Sequence, residues 1–324
     1  MMHSDIKEID SIEVITLMDN LSDPFTESHE GMRWNEAQYQ TDIRHKRETC
    51  GADLCRACTG LSLYIKIYVD NKTHHLLFDT GPDQGLVVEN AARLGIDLNL
   101  LDAIVISHGH FDHYGGLLSV LDAIQKPNLP VYIHPELFSP RAWALKNGEK
   151  TYDFYILTEA DVVAHGGKVI ADKNPFAILD NTVLISGEVP RNTGYEKGMP
   201  SEERFMNGQW EDGSLVIDER TLIFKLKNKG LCIFTGCGHI GAVNACQHAI
   251  QLTGSSDIYL LMGGLHLATT GTANRIEPTV SDLVALNPQY IATGHCTGAR
   301  AQYALNRAFA DRHIPYGVAT VFRW

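Results

Sequence analysis

Short, almost unbroken apolar runs alternate along this chain with longer stretches of helical spacing. Runs at 12–17, 63–69, 76–78, 103–106 and 131–134 predict strands in the first half. Runs at 183–186, 221–227, 230–234, 258–262 and 290–293 predict strands in the second half. Apolar spacing predicts helices over 84–94, 116–124 and 137–147, then over 242–252, 279–286 and 299–311. Continuous apolar strands set between helices imply an α/β protein whose sheets are covered by helices. Two segments break the pattern. Residues 19–59 are polar but carry Phe25, Trp34 and Tyr39; residues 192–213 show no period and carry Tyr195, Phe205 and Trp210. Long irregular stretches in a compact domain usually form lids or binding walls. The chain is therefore expected to be one domain over 1–324, with these two insertions over the functional edge.

Chemistry concentrates in one loop. Ser107-His-Gly-His-Phe-Asp-His-Tyr-Gly-Gly116 directly follows the strand predicted at 103–106. His108 and His110 are two apart, so in an extended segment both imidazoles point the same way. Asp112 and His113 follow at the turn into the next helix. One loop can thus offer two nitrogens to one cation, and a carboxylate with a third imidazole to a second.

This His-x-His-x-Asp-His string resembles the signature of the metallo-β-lactamase superfamily. Leu76-Leu-Phe-Asp-Thr-Gly81, Ile233-Phe-Thr-Gly-Cys237 and Ala292-Thr-Gly-His295 resemble three further motifs of that superfamily, in order, over roughly 60–300. The resemblance implies a four-layer αββα sandwich with metals at one edge between the sheets. It implies that Asp79 supports the metal loop from behind and that His295 binds the second metal. It also places Cys237 where the superfamily has a metal-bridging aspartate. A thiolate there favours zinc over magnesium or calcium. Zinc, as one or two ions, is the expected cofactor, with magnesium, manganese and iron as alternatives. The superfamily's further histidine, upstream of that strand, is missing from residues 185–191. His239 is the expected replacement, with Glu188 as the second choice.

Thr235-Gly-Cys-Gly-His239, Gly263-Gly-Leu-His-Leu267, Gly294-His-Cys-Thr-Gly298 and Ser186-Gly-Glu-Val-Pro-Arg191 resemble a narrower branch. It contains the dihydropterin synthase-like enzymes of methanopterin biosynthesis, which act on a pyrophosphate-activated pterin. The resemblance implies a metal-dependent transferase, the alternatives being a metallohydrolase of an ester, thioester or phosphodiester, or a metal- or redox-sensing protein. Asp112 and His266 are the expected catalytic groups, since a histidine at a strand end suits acid–base work. Glu188, Arg191, Tyr195 and Trp210 are the expected substrate contacts: arginine for a phosphate, rings for stacking.

Composition narrows the partners. Lys+Arg 27 against Asp+Glu 39 gives a net charge of −12, which argues against nucleic acid. It does not oppose a small anionic substrate held by local charge. No run approaches a membrane span and no secretion signal opens the chain, so a cytoplasmic location without membrane partners is expected. Seven cysteines are then ligands, nucleophiles or bystanders rather than disulfides. Cys232 and Cys246 read as core. Cys50, Cys55 and Cys58 read as an extra thiol metal site, a redox-sensitive lid or a chance cluster. His134 reads as structural, the tandem His74-His75 as a solvated hairpin tip, and His313 as surface.

Overall fold

A computed structural model describes residues 6–25, 31–40, 51–145, 147–152, 157–269 and 271–324. Two eight-stranded sheets and one four-stranded sheet are built from these residues. In the first sheet the order is Gly167–Ala171, Leu129–Ile133, Ala103–Val105, Lys72–Phe78, Ser62–Val69, Ser11–Met18, Val321–Arg323 and Met32–Trp34. The second runs Phe176–Ile178, Val183–Ile185, Leu222–Leu226, Gly230–Thr235, Ile258–Gly263, Tyr290–Thr293 and His313–Pro315, with Glu8–Ile9 beside Leu222–Leu226.

Strand alternation explains why the apolar runs are unbroken. Phe78, Val105, Phe234 and Met262 face a shared core between the two sheets. Their neighbours turn the other way: Leu77 and Ile104 pack on a core with Leu94, Leu117 and Leu121. Ile233 and Leu261 pack on a core with Val243, Leu283 and Leu305. The helices Leu86–Leu94 and Leu117–Ala123 thus cover the first sheet; Ala242–Thr253, Ile276–Leu286 and Ala299–Phe309 cover the second. Strands buried on both faces have no polar side to show, and the result is the αββα sandwich. Among the described residues, no helix is long and apolar enough to cross a membrane.

The third sheet departs from the sequence reading. It runs Gln209–Asp212, Glu202–Met206, Arg141–Ala144 and Lys150–Tyr152. The helix predicted over 137–147 is absent: a short 3-10 turn, Pro135–Phe138, gives way to a strand. Pro140 accounts for it, since the residue before a proline is pushed out of the helical region; Ser139 is extended, with ψ 129°. The stretch 192–213 is likewise not irregular throughout. Asn207 and Gly208 have φ of 52° and 84°, the left-handed pair of a tight hairpin, and join its two strands. His74 and His75 also depart from expectation, lying within the strand Lys72–Phe78, with His75 Nδ1 2.7 Å from the Tyr64 hydroxyl. His313 is buried beside Thr293.

Candidate metal centre

Parallel strands deliver the ligand-type residues to one edge. Asp79 follows Lys72–Phe78, the 107–113 loop follows Ala103–Val105, Cys237 follows Gly230–Thr235, His266 follows Ile258–Gly263 and His295 follows Tyr290–Thr293. These are the carboxyl ends, where open α/β sheets gather their sites.

Two groups of donors form there. In the first, His110 Nδ1 lies 3.0 Å from His108 Nε2 and 3.1 Å from His239 Nε2. In the second, Cys237 Sγ lies 3.1 Å from His113 Nε2 and 3.2 Å from His295 Nε2, and the two imidazole nitrogens are 3.2 Å apart. Asp112 completes this group, its carboxylate oxygens 3.7 Å from His113 Nε2 and 3.5 Å from His295 Nε2. Cys237 and His239 also form a third grouping with His266, whose ring lies 4.1 Å from that of His239.

Three buried imidazole nitrogens facing one another cannot all be satisfied by shared protons, whereas a cation among them satisfies all three. Burial, with the neighbouring imidazoles, pushes His108 and His239 well below the usual histidine range, keeping them neutral as ligands must be. Burial opposes protonation of His113 as well, yet the carboxylates of Asp112 and Asp79 lift it to about 9. Burial pushes the Cys237 thiol up, so it becomes a thiolate only when a cation compensates it. The donors fit two cations: an all-nitrogen position suited to zinc, and a mixed oxygen, nitrogen and sulfur position whose thiolate also favours zinc.

The support behind the ligands is dense. Asp79 takes the Ser107 backbone N–H at 2.6 Å and the Ser107 hydroxyl at 2.8 Å, and lies 2.6 Å from His113 Nδ1. A Cβ on Gly236 would collide with Ser107 Oγ, so only glycine fits before Cys237. The buried Glu219 accepts the backbone N–H groups of Cys237, Gly238 and Ile240 at 2.6–2.9 Å, which fixes the turn carrying Cys237 and His239. Asp19 takes the His295 backbone N–H at 2.8 Å, and Asn20 Oδ1 lies 3.0 Å from His295 Nδ1. Asp79, His266 and His295 all have positive φ (63°, 46° and 50°), so three strand ends hold strained backbone at this edge.

Several expected residues lie elsewhere. Glu188 is in none of these donor groups; it is half exposed and 3.2 Å from His134 Nε2. Arg191 offers no free fork, because its guanidinium donates to the carbonyls of Val189, Ile240 and Leu215. The Tyr195 hydroxyl donates to Asp282 at 2.6 Å. Trp210 packs against Phe205 and Tyr152 in the third sheet, with Lys150 over its ring. Cys55 is buried, its backbone N–H on Glu36 and its thiol 4.0 Å from the Asn90 carbonyl, and Cys58 is half-buried. Neither belongs to a group of potential ligands among the described residues. Cys50 lies outside those residues.

Sequence reasoning missed Glu202, Arg141, Asp218, Glu219 and Asp19. The Asn207-Gly208 pair, a strong hairpin signal, could have placed Glu202 on a strand. Nothing local marks Asp19 or Asp218.

Comparison with known proteins agrees with this geometry. The profile of the metallo-beta-lactamase superfamily matches residues 59–192. An uncharacterized protein of Methanocaldococcus jannaschii is 31% identical over 76% of this chain and 87% of its own length. The chain belongs to the metallo-β-lactamase superfamily. The 7,8-dihydropterin-6-methyl-4-(β-D-ribofuranosyl)-aminobenzene-5'-phosphate synthase of the same archaeon is 28% identical over 78% of this chain and 85% of that one. Among solved structures, Tm1679, a metal-dependent hydrolase of the beta-lactamase superfamily, superimposes with a TM-score of 0.70 at 22% identity. That match covers 96% of this chain and 98% of Tm1679 and concerns the metallo-β-lactamase fold alone.

Proposed function

We propose that this protein is a metal-dependent transferase acting on a pterin-like small molecule activated by a diphosphate. The carrying observation is the donor set: the first position is built from three imidazoles with no carboxylate among the facing atoms, and its neighbour has a thiol in place of a bridging carboxylate. A cation held only by neutral ligands keeps its full charge, which suits it to anionic diphosphate oxygens. The similarity to the synthase supports the substrate class.

His108, His110 and His239 would hold one divalent ion, and Asp112, His113, Cys237 and His295 the other; when bound, these ions supply Lewis-acid charge to a departing diphosphate. The chain's own residues orient and exclude. Asp79 and Glu219 fix the two ligand-bearing loops. His266, buried beside His239 in the same cluster, would take the proton released as the nucleophile attacks the activated methylene carbon and the diphosphate departs. The phosphate contact expected of Arg191 falls to the cations, because that side chain is already bound to backbone carbonyls.

Purified protein given zinc, a dihydropterin-methyl diphosphate and an arylamine tests the reading. Diphosphate release that requires the arylamine supports it. Acceptor-independent turnover of esters, thioesters or phosphodiesters, without the transfer, would replace it with hydrolysis.

A further inference from the structure

The metal loop is tied to the third sheet by a chain of buried charges that the proposed chemistry leaves unused. Glu202, first residue of the strand Glu202–Met206, has a fully buried side chain. Its Oε2 lies 3.0 Å from His110 Nε2, and its Oε1 accepts from Arg141 Nη1 at 2.5 Å. Arg141, on the adjacent strand, donates through Nη2 to Asp218 at 2.6 Å. Asp218 in turn accepts the Gly109 backbone N–H at 2.7 Å, between the two histidines of the loop. A Cβ on Gly109 would lie 2.8 Å from the Leu137 carbonyl and 2.9 Å from the Arg141 guanidinium, so the loop admits only glycine there. The Trp143 ring stands 5.7 Å from that of His110.

Burying two carboxylates and a guanidinium is costly unless each is fully paired. Among the described residues Glu202 Oε2 is paired through His110, whose Nε2 must carry hydrogen to donate to it. An imidazole with hydrogen on Nε2 leaves Nδ1 bare, and Nδ1 is the atom that faces His108 and His239. We infer that Glu202 is a positioning residue that fixes the tautomer of His110. Through it, docking of the third sheet (141–144, 150–152 and 202–212) is coupled to occupancy of the first cation position. Outer partners of this kind set ligand orientation and basicity at metal sites. The next residue, Glu203, provides the contrast: it pairs with Lys150 on the partly exposed face and touches no ligand.

This inference rests on the metal-dependent reading above. Three measurements test it on the full chain. Nitrogen NMR of wild-type protein loaded with cadmium should show coordination at His110 Nδ1 and hydrogen on Nε2. Chelator competition should show Glu202→Gln binding zinc roughly ten- to a hundredfold more weakly than wild type, with Glu203→Gln unchanged. Hydrogen exchange over 141–144, 150–152 and 202–212 should speed up when zinc is removed from the wild type. Coordination through Nε2, an equal loss in Glu203→Gln, or zinc affinity of Glu202→Gln within twofold of wild type would overturn this inference alone. Failure of the wild type to hold any ion at His110 would overturn it together with the metal-dependent reading. If Glu202→Gln does not fold, the wild-type NMR and exchange results still decide.

Discussion

The loop 107–113 and the segment 188–210 are both rich in polar and aromatic residues, yet the fold uses their predicted site residues oppositely. In the loop, imidazoles converge on one another with more nitrogens than shared protons can satisfy. In the later segment each predicted contact residue is already engaged by the chain: Glu188 by His134, Arg191 by three carbonyls, Tyr195 by Asp282, Trp210 by its ring neighbours. Convergent donors that lack mutual satisfaction mark a site; satisfied ones mark architecture. Residue type alone does not separate the two.

Substitutions should break that comparison in a graded way. His110→Ala should have the largest effect: the first cation is lost, and the ion content falls from two to one per chain by elemental analysis. It also leaves Glu202 buried without that partner, at a cost of roughly 1–3 kcal/mol in chemical denaturation. Full retention of both ions would equate the loop with the later segment. Cys237→Ser should weaken the second position by roughly tenfold or more towards zinc, because a soft thiolate gives way to a hydroxyl. The melting curve of the metal-free variant should stay close to wild type; an unchanged zinc titration would move Cys237 into the core.

The predicted contact residues of the later segment, Arg191 and Trp210, should respond in stability and not in metal. Arg191→Ala leaves three carbonyls short of a donor and should cost about 1–3 kcal/mol in denaturant, with ion content unchanged. Loss of substrate binding without loss of stability would restore Arg191 as an anion contact. Trp210→Ala should have the smallest effect, about 0.5–1.5 kcal/mol beyond its lost burial, since it removes ring contacts within the third sheet.

What the sequence made legible follows from distance along the chain. His108, His110, Asp112 and His113 lie within six positions after an apolar run, so strand geometry alone predicts their convergence. The buried runs 103–106, 230–234 and 258–262 were readable because both faces of each strand are covered. The third sheet was not readable in the same way. Its strands are edge-like and polar, and the pairing of Arg141–Ala144 with Glu202–Met206 spans a long separation that no local period encodes. Glu202 therefore looked like any surface glutamate, although its side chain is fully buried on His110. The engagement of Arg191 was hidden for the converse reason: an arginine after a proline suggests an exposed fork, and only the folded chain brings the Ile240 and Leu215 carbonyls to it.

The central proposal is that this edge can hold two cations, one among nitrogens only and one beside a thiolate. Zinc-edge X-ray absorption on protein loaded to saturation, with elemental analysis of the same sample, tests it most directly. The account predicts two ions per chain and a sulfur scatterer at about 2.3 Å on one of them, lost in Cys237→Ser. A single ion, or two ions with no sulfur neighbour in the wild type, would contradict it.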